Sequence, residues 1–335
     1  MISRTAEPAF PARDPMLDAD TSMAPTAPAP LRLAPEVLKP LQKLSTVRAL
    51  RALLGTWGLV AVSIAAALWS GHWAVWIAAA IVVGRCQHAL AVLMHDAAHY
   101  RLFDHRGLND FAGQWLCAKP IASHLYLYRM VHLRHHKHLH TAEDPDLALS
   151  APFPCGRRSF LRKLLRDATG VSALAMRGYV TVDKISGRMR FTPGHGNLLK
   201  YWSARTVATR AAAVLLIGGL VWAGYGPAFL ALWVLPLLVV YQVILRARGV
   251  LEHAAVPDKA DPLKNARTVV SPNPLAQFFL NPHHVGYHLE HHLYPGVPHY
   301  HLPRLHAALA ATGRFGGALV ERRYTDSFAA IAGPA

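Results

Sequence analysis

Cysteine is nearly absent. Cys86, Cys117 and Cys155 are the only three in 335 residues, widely separated and without a C-x-x-C pair. This excludes a disulfide framework and a thiolate metal site as organising features. Charge is thin as well, at 16% Asp, Glu, Lys and Arg, against about 25% in ordinary soluble domains. Acid is the scarcer sign: 19 Asp and Glu face 35 Lys and Arg, for a formal net charge of +16. Such a surplus can serve nucleic acid, but here the basic residues flank apolar runs, the pattern of membrane orientation. No nucleic-acid partner is expected. Residues 1–34 lack an apolar core, are rich in Pro and Ala, and read as a disordered tail. They also lack the charged start and apolar centre of a secretory signal.

What the chain has in plenty is apolar residue, 53% of the total, gathered in long runs. A basic collar (Lys39, Lys43, Arg48, Arg51) precedes apolar runs at 53–69 and 73–94, broken by Ser70-Gly71-His72. A bilayer core about 30 Å thick takes roughly 20 helical residues, so the pair reads as a hairpin that crosses and returns. Trp69, Trp73 and Trp76 sit near its tip, at interface depth. A second pair, 207–223 and 228–245, is preceded by Arg205 and Arg210 and followed by Arg246 and Arg248. Both hairpins therefore start and end in the cytoplasm. The fold expected is an all-α integral membrane protein, with four transmembrane helices in two hairpins and a cytoplasmic helical cap. The membrane domain runs over 35–325, with a C-terminal tail at 326–335. Within the cap, residues 157–168 place Phe160, Leu161, Leu164, Leu165 and Ala168 on one helical face and basic residues on the other, as in a helix lying on a membrane surface. Arg85, Gln87 and His88 depart from the pattern. Arg85 would lie roughly 15 Å below the surface, where a charge is costly, and these residues are expected to line a polar interior near the site.

Histidine is the polar residue the chain does not lack, with 21 copies. His95 and His99 have the spacing H-x-x-x-H. His132, His135 and His136 have the spacing H-x-x-H-H, and so do His288, His291 and His292. On a helix, positions i, i+3 and i+4 share a face, so each cluster would aim its imidazoles at one place. Imidazole is an uncharged ligand for iron, zinc, copper and nickel. A structural zinc site closes with four ligands; eight histidines, or nine with His253, suit two metals with open positions. Asp96, Glu143, Asp144, Asp146 and Glu290 are candidates to accept ring N–H bonds and fix the tautomers of ligating imidazoles. His284 and His301 are candidates to sit beside the ligands.

Three such boxes around two membrane hairpins resemble the membrane-bound fatty acid desaturase family. The stretches His95-Asp-Ala-Ala-His99, His132-Leu-Arg-His-His136 and Glu290-His-His-Leu-Tyr-Pro-Gly-Val-Pro298 carry the resemblance, which covers roughly residues 45–310. It implies a non-haem centre of two irons per chain, held by His95, His99, His132, His135, His136, His288, His291 and His292. His253 matches the family's extra ligand between the second and third boxes. It further implies O2, a membrane lipid or acyl substrate, and electrons from ferredoxin or cytochrome b5. The chain has no His-Pro-Gly-Gly motif and no rubredoxin-type cysteines, so a separate donor is expected. The expected location is a bacterial inner membrane with the site facing the cytoplasm. Hydroxylation or ketolation of a lipid, carotenoid or other amphipathic molecule is the alternative on the same scaffold. A metal transporter would need polar ligands along a path through the spans, where only Arg85 and His88 stand.

Overall fold

The computed structural model describes residues 26–333, apart from 177–179, 183–188 and 192–203. Helix α1 (Pro35–Gln42) leads into α2 (Thr46–Ser70), whose first turn is capped by the Ser45 hydroxyl accepting from the Arg48 N–H. Gly71, at φ +60°, stops α2, and the His72 ring accepts from the Ala74 N–H to start α3 (Trp73–Ala98). At this tip Trp69 and Trp73 are exposed, as residues at a membrane interface would be.

Three helices are long and apolar enough to cross a membrane: α2, α3 and a 28-residue helix, α7 (Gly226–His253). The helix between them in sequence, α6 (Ala204–Trp222), has a described apolar stretch of Ala211–Trp222 only, shorter than a span. Of the four spans expected, three are therefore met by length and composition. Helix α3 is the most enclosed, with 61% of its apolar window buried against 22% for α2 and 33% for α7. That central place suits the span whose end carries His95.

Helix α7 is irregular. A π turn at Leu230–Val234, Pro236 and a break at Val239 interrupt its ladder. Gln87 of α3 donates to the Trp233 carbonyl there at 2.9 Å. The Trp233 ring stacks on Trp57 of α2 at 5.7 Å and 8°. Close approach of α3 and α7 depends on Gly84, where a Cβ would stand 2.5 Å from the Val240 Cβ.

The shorter helices, collectively the cap, include α4 (Leu125–Lys137), α5 (Arg157–Ala168), α8 (Pro274–Leu280), α9 (His288–Leu293), α10 (Leu302–Ala311) and α11 (Tyr324–Ile331). A short parallel pair joins Thr268–Val269 to Val320–Glu321. In α5, Phe160 turns inward to Phe153 and Phe328, while Leu161 and Leu165 stay exposed. Arg246 ties α5 to the end of α7 through Asp167.

Two boundaries differ from the sequence expectation. The tail expected to run to residue 34 is docked from residue 26, whereas residues 1–25 lie outside the described residues. Thr26 and Ala27 donate backbone N–H groups to the Leu293 carbonyl, Ala27 and Leu31 are buried, and the Tyr294 hydroxyl donates to the Leu31 carbonyl. Composition missed this because two buried apolar side chains and a few backbone bonds are enough to hold the segment. At the other end, most of the tail expected at 326–335 is in α11, with Ile331 fully buried.

Gly84→Ala is expected to lower the thermal unfolding midpoint, overpacking the α3–α7 contact by about 1–3 kcal/mol. Gly55→Ala, facing open space in α2, is the control. Equal midpoints for the two variants would mean that the helices do not meet at Gly84.

Candidate metal centre

The histidine boxes come together, but not as one face each. His95, His99, His132, His136 and His291 form one set, and His135, His253 and His292 another. His288 joins the second set, its Nε2 2.9 Å from His253 Nε2 and 3.1 Å from His292 Nε2. A helical rule sorts them. In every box the i and i+4 members share a set: 95 with 99, 132 with 136, 288 with 292. The i+3 member, His135 or His291, goes to the other set. At about 100° per residue, i+4 lies ~40° from i, whereas i+3 lies ~60° away on the opposite side. One helix thus feeds two adjacent positions, which corrects the expectation that each H-x-x-H-H aims at a single place. The His136 and His292 rings stack at 4.2 Å where the sets touch.

The spacing within the sets identifies what they lack. His253 Nε2 has three Nε2 neighbours, from His135, His288 and His292, at 2.9–3.2 Å. In the other set, His136 Nε2 lies 3.0 Å from both His132 Nε2 and His291 Nε2. Such contacts would be hydrogen bonds only if one partner carried its proton on Nε2. Two rings of the second set donate from Nδ1 instead, His135 to Asp144 at 2.9 Å and His253 to the Asn265 carbonyl at 3.1 Å, while His288 Nδ1 lies 2.9 Å from the Glu252 carboxylate. Their Nε2 atoms then carry only lone pairs, and lone pairs facing one another at 3 Å require a cation between them. About 3 Å is also the separation of neighbouring ligands around an ion with metal–nitrogen bonds of about 2.1 Å. His99 is buried with neither ring nitrogen partnered, and His136 Nδ1 is likewise unpaired. Buried polar atoms of this kind normally have a partner. The donor set therefore fits two divalent cations of the imidazole-binding kind.

Electrostatics keep the ligands in the binding form. Burial, and then repulsion by neighbouring imidazoles, hold His99, His132, His136, His288, His291 and His292 well below the ordinary histidine range. For Asp144, burial works to raise the carboxyl. The bond and charge of His135 and the backbone N–H groups of Asp146 and His140 outweigh burial and hold it at about 2.

The other candidates from the sequence divide. Asp144 meets a cluster imidazole, and Asp146 comes within 4.0 Å of the same His135. Asp96 instead accepts from His299, through both its backbone N–H at 3.1 Å and its ring at 2.7 Å, and lies 3.7 Å from His95. Glu290 is fully buried but accepts from His306 at 2.5 Å and from Thr268, not from a ligand candidate. As a neighbour of His291 and His292 it points off the opposite side of α9. His284 is exposed, its ring near Tyr287. His301 donates to, or is held by, the Leu41 carbonyl at 2.9 Å. Arg85 reaches away from the histidines, donating to the Phe278 carbonyl at 2.8 Å with its guanidinium over the Phe278 ring. His88 is buried beside Tyr241 with Nδ1 unpartnered, outside both sets.

Sequence reasoning missed Glu252 and Arg248. Glu252 contacts His288 and accepts from Arg248, which also donates to the Val285 carbonyl at 2.7 Å. The available signal was R-x-x-x-E-H at the end of α7: an i, i+4 ion pair beside a lone candidate ligand. The backbone of the third box reaches this place through a tight loop. The Asn281 side chain accepts from the Gly286 N–H at 2.6 Å, and a Cβ at 286 would meet the Val269 carbonyl at 2.5 Å.

The sequence profile of the fatty acid desaturase family matches residues 71–323. Among known proteins, the chain is 24% identical over 241 residues to dihydrorhizobitoxine desaturase of Bradyrhizobium elkanii, covering 68% of this chain and 65% of that one. It is 27% identical over 267 residues to the chloroplastic omega-3 fatty acid desaturase of Glycine max, covering 75% and 57%. The chain thus spans under two thirds of the length of either relative.

The lowered histidines make a pH prediction for the metal-free protein. Their folded-state values lie below the unfolded value of about 6.5, so the unfolded chain binds more protons below that pH. Stability is complete above about pH 6.5 and falls as pH drops toward the folded-state values. Thermal unfolding of metal-free protein between pH 7.5 and 5 should show a falling midpoint, and His132→Gln should flatten the fall. A midpoint independent of pH would contradict the buried neutral set.

Proposed function

Because the chain belongs to the fatty acid desaturase family, we propose that it is an O2-dependent desaturase of acyl chains working at two histidine-held irons. The observation that carries this reading is the convergence of nine imidazoles into two touching sets with unshared lone pairs inward. One ion would take His95, His99, His132, His136 and His291, and the other His135, His253, His288 and His292. When bound, the iron pair supplies the O2-derived oxidant that unactivated C–H bonds need and that acid–base side chains do not provide.

The chain's own residues contribute position and exclusion. Asp144 and the Asn265 carbonyl hold His135 and His253 by Nδ1, so that Nε2 faces inward, and the Glu252 carboxylate stands 2.9 Å from His288 Nδ1. Tyr128 stacks on His132 at 5.2 Å and limits that ring's rotation. Burial of the rings keeps bulk water from the oxidising position. The overall balance takes two hydrogens from adjacent methylenes. With O2, two electrons and two protons it gives a double bond and two waters, the electrons coming from a separate donor of ferredoxin or cytochrome b5 type.

We place α6 as the fourth span and the site on the cytoplasmic side of a bacterial inner membrane. The basic residues Lys39, Lys43, Arg48 and Arg51 before α2 support that sidedness. The site stands at the ends of helices whose outward side chains, Leu54, Val62 and Ile77 among them, are apolar and exposed. A chain borne by lipid is the substrate such surroundings offer. Hydroxylation or ketolation at the same centre is distinguished by its product.

Expressed in a bacterial host with a ferredoxin system, the protein should yield a new unsaturated acyl species by gas chromatography and mass spectrometry. His135→Ala should bring that species below detection. A hydroxylated or keto species dependent on His135 would move the reaction to the alternative. Unchanged lipids from iron-loaded protein would contradict desaturation of the host's acyl chains.

A further inference from the structure

The two histidine sets are built to different standards. In the four-histidine set, two of four rings donate from Nδ1, His135 to Asp144 and His253 to the Asn265 carbonyl, and a third, His288, has its Nδ1 2.9 Å from the Glu252 carboxylate. Those carboxylates are themselves held. Asp144 accepts the backbone N–H groups of His140 and Asp146 at 3.0 and 2.9 Å, and Glu252 is paired with Arg248, which is only 8% exposed. In the five-histidine set, among the described residues, no ring is seen donating to a carboxylate or carbonyl. The nearest approach is His95 Nδ1 to Asp96 Oδ1 at 3.7 Å, beyond hydrogen-bond range, and the other oxygen of Asp96 is committed to His299. His99 has no partner on either ring nitrogen and His136 none on Nδ1.

Anchoring affects metal affinity in two ways. A ring fixed through Nδ1 has lost its tautomeric and rotational freedom on folding, so binding an ion costs it less order. A carboxylate on Nδ1–H also makes Nε2 more basic and brings negative charge toward a dication; loss of one such partner typically weakens binding 10–100-fold. The five-histidine set has one more donor, but among the described residues its one restrained ring is His132, stacked on Tyr128 and without a hydrogen-bond acceptor at Nδ1. Resting on the two-metal reading above, we infer that the two positions are unequal. The four-histidine position is preorganised and fills first and tightest, with Glu252, backed by Arg248, as a positioning residue acting through His288. The five-histidine position is the labile one, which fills second and empties first.

The test is anaerobic titration of full-length, metal-free protein in detergent with Fe(II), followed by calorimetry and by competition with a chromogenic chelator. The expected result is two equivalents in two phases, the first at least 10-fold tighter. Glu252→Gln should weaken the first phase 10–100-fold and leave the second within about 3-fold. Asp144→Asn, acting through His135, should weaken the same phase, and serves if Glu252→Gln misfolds. His99→Ala should abolish the second phase and leave the first. A merely structural role for Glu252 would weaken both phases together, which overturns the inference. Two equal phases in the unaltered protein would overturn the inequality while leaving two metals in place. Uptake of fewer than two equivalents would instead remove the two-metal reading on which it rests.

Discussion

Lone pairs facing lone pairs hold the key to this molecule. Nine imidazoles are gathered in a buried space where burial and mutual repulsion hold His99, His132, His136, His288, His291 and His292 well below the ordinary histidine range, and His135 and His253 are turned inward by acceptors on their outer nitrogens. The protein can fold around such a cluster only if the surroundings over-determine it. Much of the cap does that work. The Asn281–Gly286 loop sets the start of α9. Residues 26–33 bond across its end at Leu293 and Tyr294. The parallel strand pair holds Thr268 against Glu290. A bound divalent cation would relieve the repulsion that these contacts hold in check.

The membrane helices serve the same end from below. Helix α3 carries His95 at its C-terminal end, and His99 caps it. It must be central to bring them to α4 and α9, and Gly84 allows that by letting α7 approach. The irregularities of α7 fall beside Trp233, where Gln87 of α3 and Trp57 of α2 meet it. These contacts fix α7, whose last residue is His253, against α2 and α3.

Much of this was legible before any coordinates. Periodicity and length identified α2, α3 and α7 as apolar helices and residues 157–168 as an amphipathic helix, and spacing identified the histidines that cluster. What was not legible depended on contacts distant in sequence. That Asp96 belongs to His299, and Glu290 to His306, follows from packing of the third-box region on α3 and α10, which no local spacing reports. Glu252 reaches His288 from 36 residues away in sequence. Arg85 answers to a backbone carbonyl in α8, a helix too short to stand out. The partition of each box between two positions was readable in principle, since the helical angle between i+3 and i+4 is about 100°. Treating i, i+3 and i+4 as one face concealed it.

Two metals held by histidine nitrogen alone are what this cluster is proposed to carry. Iron K-edge X-ray absorption on anaerobically loaded protein, normalised to iron per chain, addresses this directly. The prediction is about two irons per chain, with imidazole scattering in the nearest shell and no sulfur. One iron, a sulfur ligand, or a protein that retains a single zinc and refuses iron would contradict it.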